Sequence, residues 1–138
     1  MFKKIDHIGI VTKDLEALKE LYRTALDMEP AHEELREELG VKAALYPVGE
    51  TALEFVEPIS EKAPLKNFLD TRGEGIHHIC FIVDDIEGTL RKLGERGVDL
   101  IDKKPRVGAN RRRIAFLHPK SMKGVLIEIA EETGKEEF

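Results

Sequence analysis

The chain repeats itself once, residue by residue. His7-Ile8 followed by Asp14-Leu15-Glu16 recurs as His78-Ile79 followed by Asp85-Ile86-Glu87, and 78 − 7 and 85 − 14 both equal 71. Later in each copy Leu53-Glu54-Phe55 is answered by Ile127-Glu128-Ile129; there 128 − 54 equals 74, and loops absorb the excess. Solenoid repeats have periods of roughly 20–50 residues and need several copies to bury a core. Two long copies predict an α+β fold instead, in which two paired βαβββ modules close one curved mixed sheet. The 138 residues are the length of one domain, since a domain typically takes about 100–200. The expected organisation is module one over residues 3–58, a connector over 59–74 and module two over 75–131.

Local patterns agree with the repeat. Ile5 to Val11 alternates and is β-branched, and Asp14 then stands as N-cap before Leu15, Leu18, Leu21, Tyr22, Ala25 and Leu26, one apolar helix face. Met28 to Gly40 is polar and has no clear period. Val41 to Val48 and Thr51 to Val56 read as a hairpin turning at Gly49-Glu50, Pro58 to Pro64 as a connector, and Leu65 to Asp70 as a short helix stopped by Gly73 and Gly75. The second copy opens with the strand Ile76 to Val83. Asp85 caps a helix carrying Ile86, Leu90 and Leu93, ended by Gly94 and Gly97.

Lys+Arg number 22 and Asp+Glu 27, a net charge of −5 with both signs interspersed, so no basic stripe suits a nucleic-acid backbone. Charged residues make up 36% against 41% hydrophobic, a heavily charged surface of the kind seen in heat-adapted proteins. No apolar signal core follows Lys3-Lys4, and no run approaches the ~18 apolar residues of a membrane span; a soluble cytoplasmic protein is expected. Cys80 is the single cysteine, so an intrachain disulfide and cysteine-based zinc motifs are excluded.

Any metal must therefore be held by oxygen and imidazole. His7, Glu54, His78 and Glu128 stand in register on the first and last strands of the two copies. Ile5, His7 and Gly9 share one face of their strand, as do Leu126, Glu128 and Ala130. If the copies pack about a pseudo-twofold axis, two imidazoles and two carboxylates converge, a set suited to Co²⁺, Ni²⁺, Mn²⁺, Fe²⁺ or Zn²⁺. A lone strand histidine is more often a satisfied core residue, and alternation alone allows both carboxylates to face water. Against that, Glu54 and Glu128 are each flanked by apolar residues, and an inward carboxylate there is costly without a cation.

His77 has the opposite parity and reads as structural, His118 as a turn residue before Pro119, and Cys80 as a small buried residue in the place of Gly9; His32 has no register. Arg111-Arg112-Arg113, after the loop Arg106 to Asn110, is either a solvated run or an anion holder, and Lys120 and Lys123 share that ambiguity.

Asp6-His7-Ile8-Gly9-Ile10, Gly75-Ile76-His77-His78-Ile79-Cys80, Val83-Asp84-Asp85-Ile86, and His118-Pro119-Lys120-Ser121 with Gly124-Val125-Leu126-Ile127-Glu128 resemble the methylmalonyl-CoA epimerase family of the vicinal oxygen chelate superfamily. The resemblance spans about Ile5 to Ala130. It implies a glyoxalase-like fold, a divalent metal that is often cobalt, frequent dimers, and interconversion of (R)- and (S)-methylmalonyl-CoA. It also implies His7 and His78 as metal histidines and Glu128 as the last-strand glutamate. Two positions depart. Glu54 stands where some epimerases have Gln and so resembles the ligand set of glyoxalase I; Ala43 stands where some carry a second catalytic glutamate.

The chemistry implied is removal of a proton next to a thioester carbonyl and its return. Glu128 is the first expected acid/base, also a ligand, and Glu54 the second. The polyanionic CoA moiety calls for local cations, and Arg111, Arg113, Lys120 and Ser121 are the expected contacts. Two alternatives stand beside this: lactoylglutathione lyase or another superfamily enzyme, and a metal-free small-molecule binding module.

Overall fold

The computed structural model describes residues 1–108 and 111–132. Eight strands and three helices follow in the order β1 (Phe2–Val11), α1 (Leu15–Leu26), β2 (His32–Arg36), β3 (Val41–Val48), β4 (Thr51–Pro58), α2 (Pro64–Arg72), β5 (Gly75–Val83), α3 (Ile86–Glu95), β6 (Arg106–Val107), β7 (Arg113–Leu117) and β8 (Ile127–Glu131). Each copy is thus a βαβββ unit with α2 between them. Among the described residues no helix is long and apolar enough to cross a membrane.

The chain divides into two compact units: His7–His77, and Met1–Asp6 together with the chain from His78 onward. The dividing lines differ from the repeat boundaries for physical reasons. Most of the connector is α2, whose Leu65 packs against Val41, Ala43, Val56 and Ala63, so it stays with the first copy. At the other end Phe2 stacks on Phe81 with ring centroids 5.2 Å apart, and Lys3 Nζ lies 3.1 Å from Asp84 and 3.4 Å from Glu132. Those contacts carry the start of β1 into the second unit.

In the first unit the strands lie in the order β2-β3-β4-β1, with β1 and β4 parallel. Asp14 caps α1 by accepting the Ala17 N–H at 3.0 Å. The helix lays Leu15, Leu18 and Tyr22 on Ala44, Tyr46, Leu53, Phe55 and Ile10, and each fully buried aliphatic or aromatic side chain contributes about 1.5–3 kcal/mol. Strand alternation then sends Glu54, Val56 and His7 to the face opposite α1.

The second unit repeats this with β5-β8-β7-β6, β5 and β8 being parallel. Asp85 accepts the Gly88 N–H at 3.1 Å, and α3 buries Ile86 and Leu90 against Val83, Ala115, Leu117 and Ile129. Cys80, Ile82, Ile114 and Ala130 form a separate cluster, on the strand parity that Glu128 and His78 share.

Two stretches differ from the expected pattern. Met28–Gly40 contains β2 and a 3-10 turn, Glu37–Leu39. β2 pairs only with β3 and is exposed along almost its whole length; an edge strand covered in charge shows no apolar alternation. α3 runs through Gly94 to Glu95, and the left-handed residue that follows it is Gly97, at φ 87°.

Candidate active site

Each unit carries one imidazole beside one carboxylate, produced by the same register. Glu54 on β4 is level with Gly9 on β1, and Glu128 on β8 is level with Cys80 on β5. In both cases the histidine stands two residues earlier on the same face. The resulting distances are 3.7 Å from His7 Nε2 to Glu54 Oε1 and 3.2 Å from His78 Nε2 to Glu128 Oε1. All four side chains are mostly buried, the most exposed, His7, at 16%. The alternative in which both carboxylates point to water is therefore not what the backbone builds.

The surroundings of the two pairs differ. In the first unit Arg36, at the end of β2, reaches Glu54: Nη2 donates to Glu54 Oε2 at 3.0 Å and to Glu34 Oε1 at 2.6 Å, and Nε donates to Glu34 Oε1 at 3.0 Å. Burial works against this guanidinium's charge, but its hydrogen bond to Glu34 and the charge of Glu54 outweigh burial and hold its pKa above the ordinary value. Sequence reading missed Arg36 because it lies in the stretch without a period. Ala43, level with Glu34 on β2 and Val56 on β4, is buried and offers only a methyl group.

In the second unit Arg112 Nη1 lies 2.9 Å from Asp6 Oδ2. The ring of Phe116 meets His78 edge-on at 6.0 Å, and Arg106 stands over Phe116 at 5.4 Å. Burial, reinforced by the negative charges of Glu128 and Asp6, pushes the Cys80 thiol far up; it is a neutral buried group, as its place opposite Gly9 in the repeat implies. His77 packs edge-on against Phe68 at 4.9 Å, a structural position. His118 accepts the Lys120 N–H at Nδ1 over 3.1 Å and caps a 3-10 turn.

The residues expected to meet CoA are spread over the second unit. Arg113 lies on the α3 side of β7, 2.5 Å from Glu87 and 3.6 Å from Glu131. There it lines a cavity of about 570 Å³ with Arg91, Lys103 and Lys104, a concentration of positive charge that the sequence reading did not assemble. Lys120 pairs with Asp99 at 3.5 Å, and Ser121 Oγ accepts the Asp99 N–H at 2.9 Å. Arg111 is exposed in a left-handed conformation, and Ala109 and Asn110 of the preceding loop lie outside the described residues.

A family model described as the Glyoxalase/Bleomycin resistance protein/Dioxygenase superfamily matches residues 6–116. An uncharacterized protein of Bacillus subtilis, YqjC, is 37% identical over 95% of this chain and 94% of its own length. The mitochondrial methylmalonyl-CoA epimerase of Dictyostelium discoideum is 36% identical over 94% of this chain and 78% of its own. A solved methylmalonyl-CoA epimerase in complex with methylmalonyl-CoA and ammonium is 36% identical, superposes with a TM-score of 0.85, and is matched over 97% of both chains.

Proposed function

The chain belongs to the glyoxalase/bleomycin resistance protein/dioxygenase superfamily and, within it, to the methylmalonyl-CoA epimerase family, and from that membership we propose that it interconverts the (R) and (S) forms of methylmalonyl-CoA. The observation that carries the reading is the duplicated pair, His7 with Glu54 and His78 with Glu128, each made by the same parallel-strand register.

We propose further that these four residues hold one divalent cation, with cobalt the expected ion by kinship. The donors fit such an ion: two imidazole nitrogens and two carboxylates, held on rigid strands and mostly screened from water, with no thiolate among them. When bound, a divalent cation stabilises the negative charge that develops on the substrate oxygens as the α-proton leaves. The remaining work belongs to the side chains. Inverting the carbon requires proton delivery to the opposite face, and two groups flanking the carbon are the economical arrangement. Glu128, 7% exposed, is the proposed first acid/base and Glu54 the second, since Ala43 has no group to accept a proton.

For the CoA phosphates the proposed contacts are Arg111, Arg113, Lys120 and Ser121. Arg113 is favoured by the cationic cavity it shares with Lys103 and Lys104. A cytoplasmic homodimer is the proposed working form.

The test is exchange of the substrate α-proton. Metal-loaded protein is incubated with methylmalonyl-CoA in deuterated water, with the methylglyoxal–glutathione adduct in parallel. Deuterium incorporation with loss of configuration in the CoA ester is expected. Turnover of the glutathione adduct alone would make the protein a lactoylglutathione lyase, and neither reaction together with no metal uptake would make it a binding module. Glu128→Gln is expected to retain partial metal binding and lose exchange; full exchange in that variant removes Glu128 from its role.

A further inference from the structure

We infer that Arg36 is a positioning residue that sets the orientation of Glu54 and offsets part of its negative charge. The inference rests on the reading of Glu54 and His7 as metal ligands. Glu54 Oε1 faces His7 Nε2 at 3.7 Å, while Oε2 accepts from Arg36 Nη2 at 3.0 Å. The guanidinium thereby takes one carboxylate oxygen and leaves the other, on the imidazole side, for a cation. Arg36 is itself fixed, because Glu34 Oε1 accepts from both Nε and Nη2, at 3.0 and 2.6 Å. Its side chain is only 19% exposed and that of Glu54 14%, so the Arg36–Glu54 pair is mostly screened from solvent, while Glu34, at 38%, stands at the wet end of the chain.

Two physical effects follow, with opposite signs for cation affinity. Fixing the Glu54 rotamer removes disorder that a cation would otherwise have to remove, which favours binding. A full positive charge on the far side of the same carboxylate repels a divalent cation and withdraws electron density from its ligand, which disfavours binding. In a mostly buried site, where charges are weakly screened, the charge effect is the larger of the two. Arg36 therefore loosens the ion and keeps it a stronger electrophile, because part of the glutamate's negative charge is already neutralised.

The experiment compares wild-type protein with Arg36→Met, Arg36→Lys and Glu34→Gln, stripped of metal and then titrated with Mn²⁺ under electron paramagnetic resonance, alongside kcat and KM on the loaded enzymes. Retained far-UV circular dichroism identifies folded variants. Arg36→Met is expected to bind Mn²⁺ about tenfold more tightly while kcat falls about tenfold and KM moves less than threefold. Arg36→Lys restores the charge without the two-pronged geometry, so its Mn²⁺ affinity returns to within about threefold of wild type. Glu34→Gln leaves Arg36 in place but removes the carboxylate that offsets its charge, so Mn²⁺ affinity is expected to fall by about threefold, opposite to Arg36→Met. Wild-type protein that takes up neither Mn²⁺ nor Co²⁺ would overturn the metal reading and this inference with it. Wild-type uptake with unchanged Mn²⁺ affinity and kcat in Arg36→Met would overturn the inference alone, as would weaker binding in that variant, which would reduce Arg36 to a scaffold.

Discussion

The backbone N–H of Leu15 donates to Glu57 Oε1 at 2.9 Å, and the relationship is duplicated: the Ile86 N–H donates to Glu131 Oε2 at 3.2 Å. Both glutamates sit three residues beyond the carboxylates of the candidate site, on the same strands. Each accepts a donor from the first turn of its unit's helix, a place where backbone N–H groups lack intrahelical partners and a negative charge is favoured. Each helix therefore starts on two side-chain acceptors, its own aspartate cap and a glutamate from the sheet beneath it.

Removing that second acceptor should have a measurable cost. Glu57→Ala is expected to lower stability by about 1 kcal/mol, the usual loss for a helix-capping contact. Glu131→Ala is expected to lose slightly more, because Glu131 faces Arg113 at 3.6 Å where Glu57 has Lys42 at 4.0 Å. Urea denaturation of the two variants gives the comparison directly. Equal stability of both with wild type would make the contacts ornamental.

Glu74 makes a pH-dependent tie within the first unit. It accepts the Lys13 N–H and the Thr12 hydroxyl, both at 2.9 Å, and these bonds hold its carboxyl below the ordinary value. A lowered folded-state pKa means the contribution is present above the unfolded value of about 4.3 and disappears as pH falls through the lower folded one. Because Glu74 is exposed, a discounted loss of about 0.5 kcal/mol is expected for Glu74→Gln at pH 7. The stability curves of mutant and wild type should converge toward pH 3, and a constant gap across that range would refute the linkage.

Tyr46 is fully buried, and its hydroxyl has no hydrogen-bond partner among the described residues. Tyr22 and Phe55 surround the ring with centroids 5.6 Å away. Tyr46→Phe keeps that packing and removes an unsatisfied polar atom, so a gain of about 1 kcal/mol is expected. Calorimetry should show Tm rising by about 3 °C.

Gly40 sits at φ 66°, and a Cβ there would stand 2.7 Å from Ser60 Cβ. Gly40→Ala should cost about 1–2 kcal/mol for the left-handed backbone alone, with the clash in addition. Adding Ser60→Gly should recover the clash and leave the backbone part, which a double-mutant cycle measures.

The pattern of the site was legible where geometry is local or repeated. His7, Glu54, His78 and Glu128 could be found because strand parity and a constant offset fix which face each residue takes, and Asp14 and Asp85 because capping chemistry is short-range. Arg36 could not. Its meaning depends on β2 lying beside β3, and an exposed edge strand has no period to announce that neighbour. Glu57 and Glu131 repeat at the same offset as the site glutamates, so the signal existed; what was missing was the knowledge that a strand side chain reaches the start of a helix. The cavity around Arg113 joins charges from α3, β7 and the segment between them, and no linear spacing encodes it.

Because β1 passes from one unit to the other after Asp6, one compact unit, His7–His77, is a single stretch of chain, while the other joins the first six residues to the chain from His78 onward. A ribosome delivers His7–His77 as one uninterrupted stretch while the partners of Phe2 and Lys3 are still untranslated. Phe81, Asp84 and Glu132 emerge later. Phe2 and Lys3, released first, thus cannot make these contacts until the chain has passed Phe81 and Asp84. Those contacts close a long span of chain, and the entropy of closing it is smaller when the residues in between are ordered beforehand.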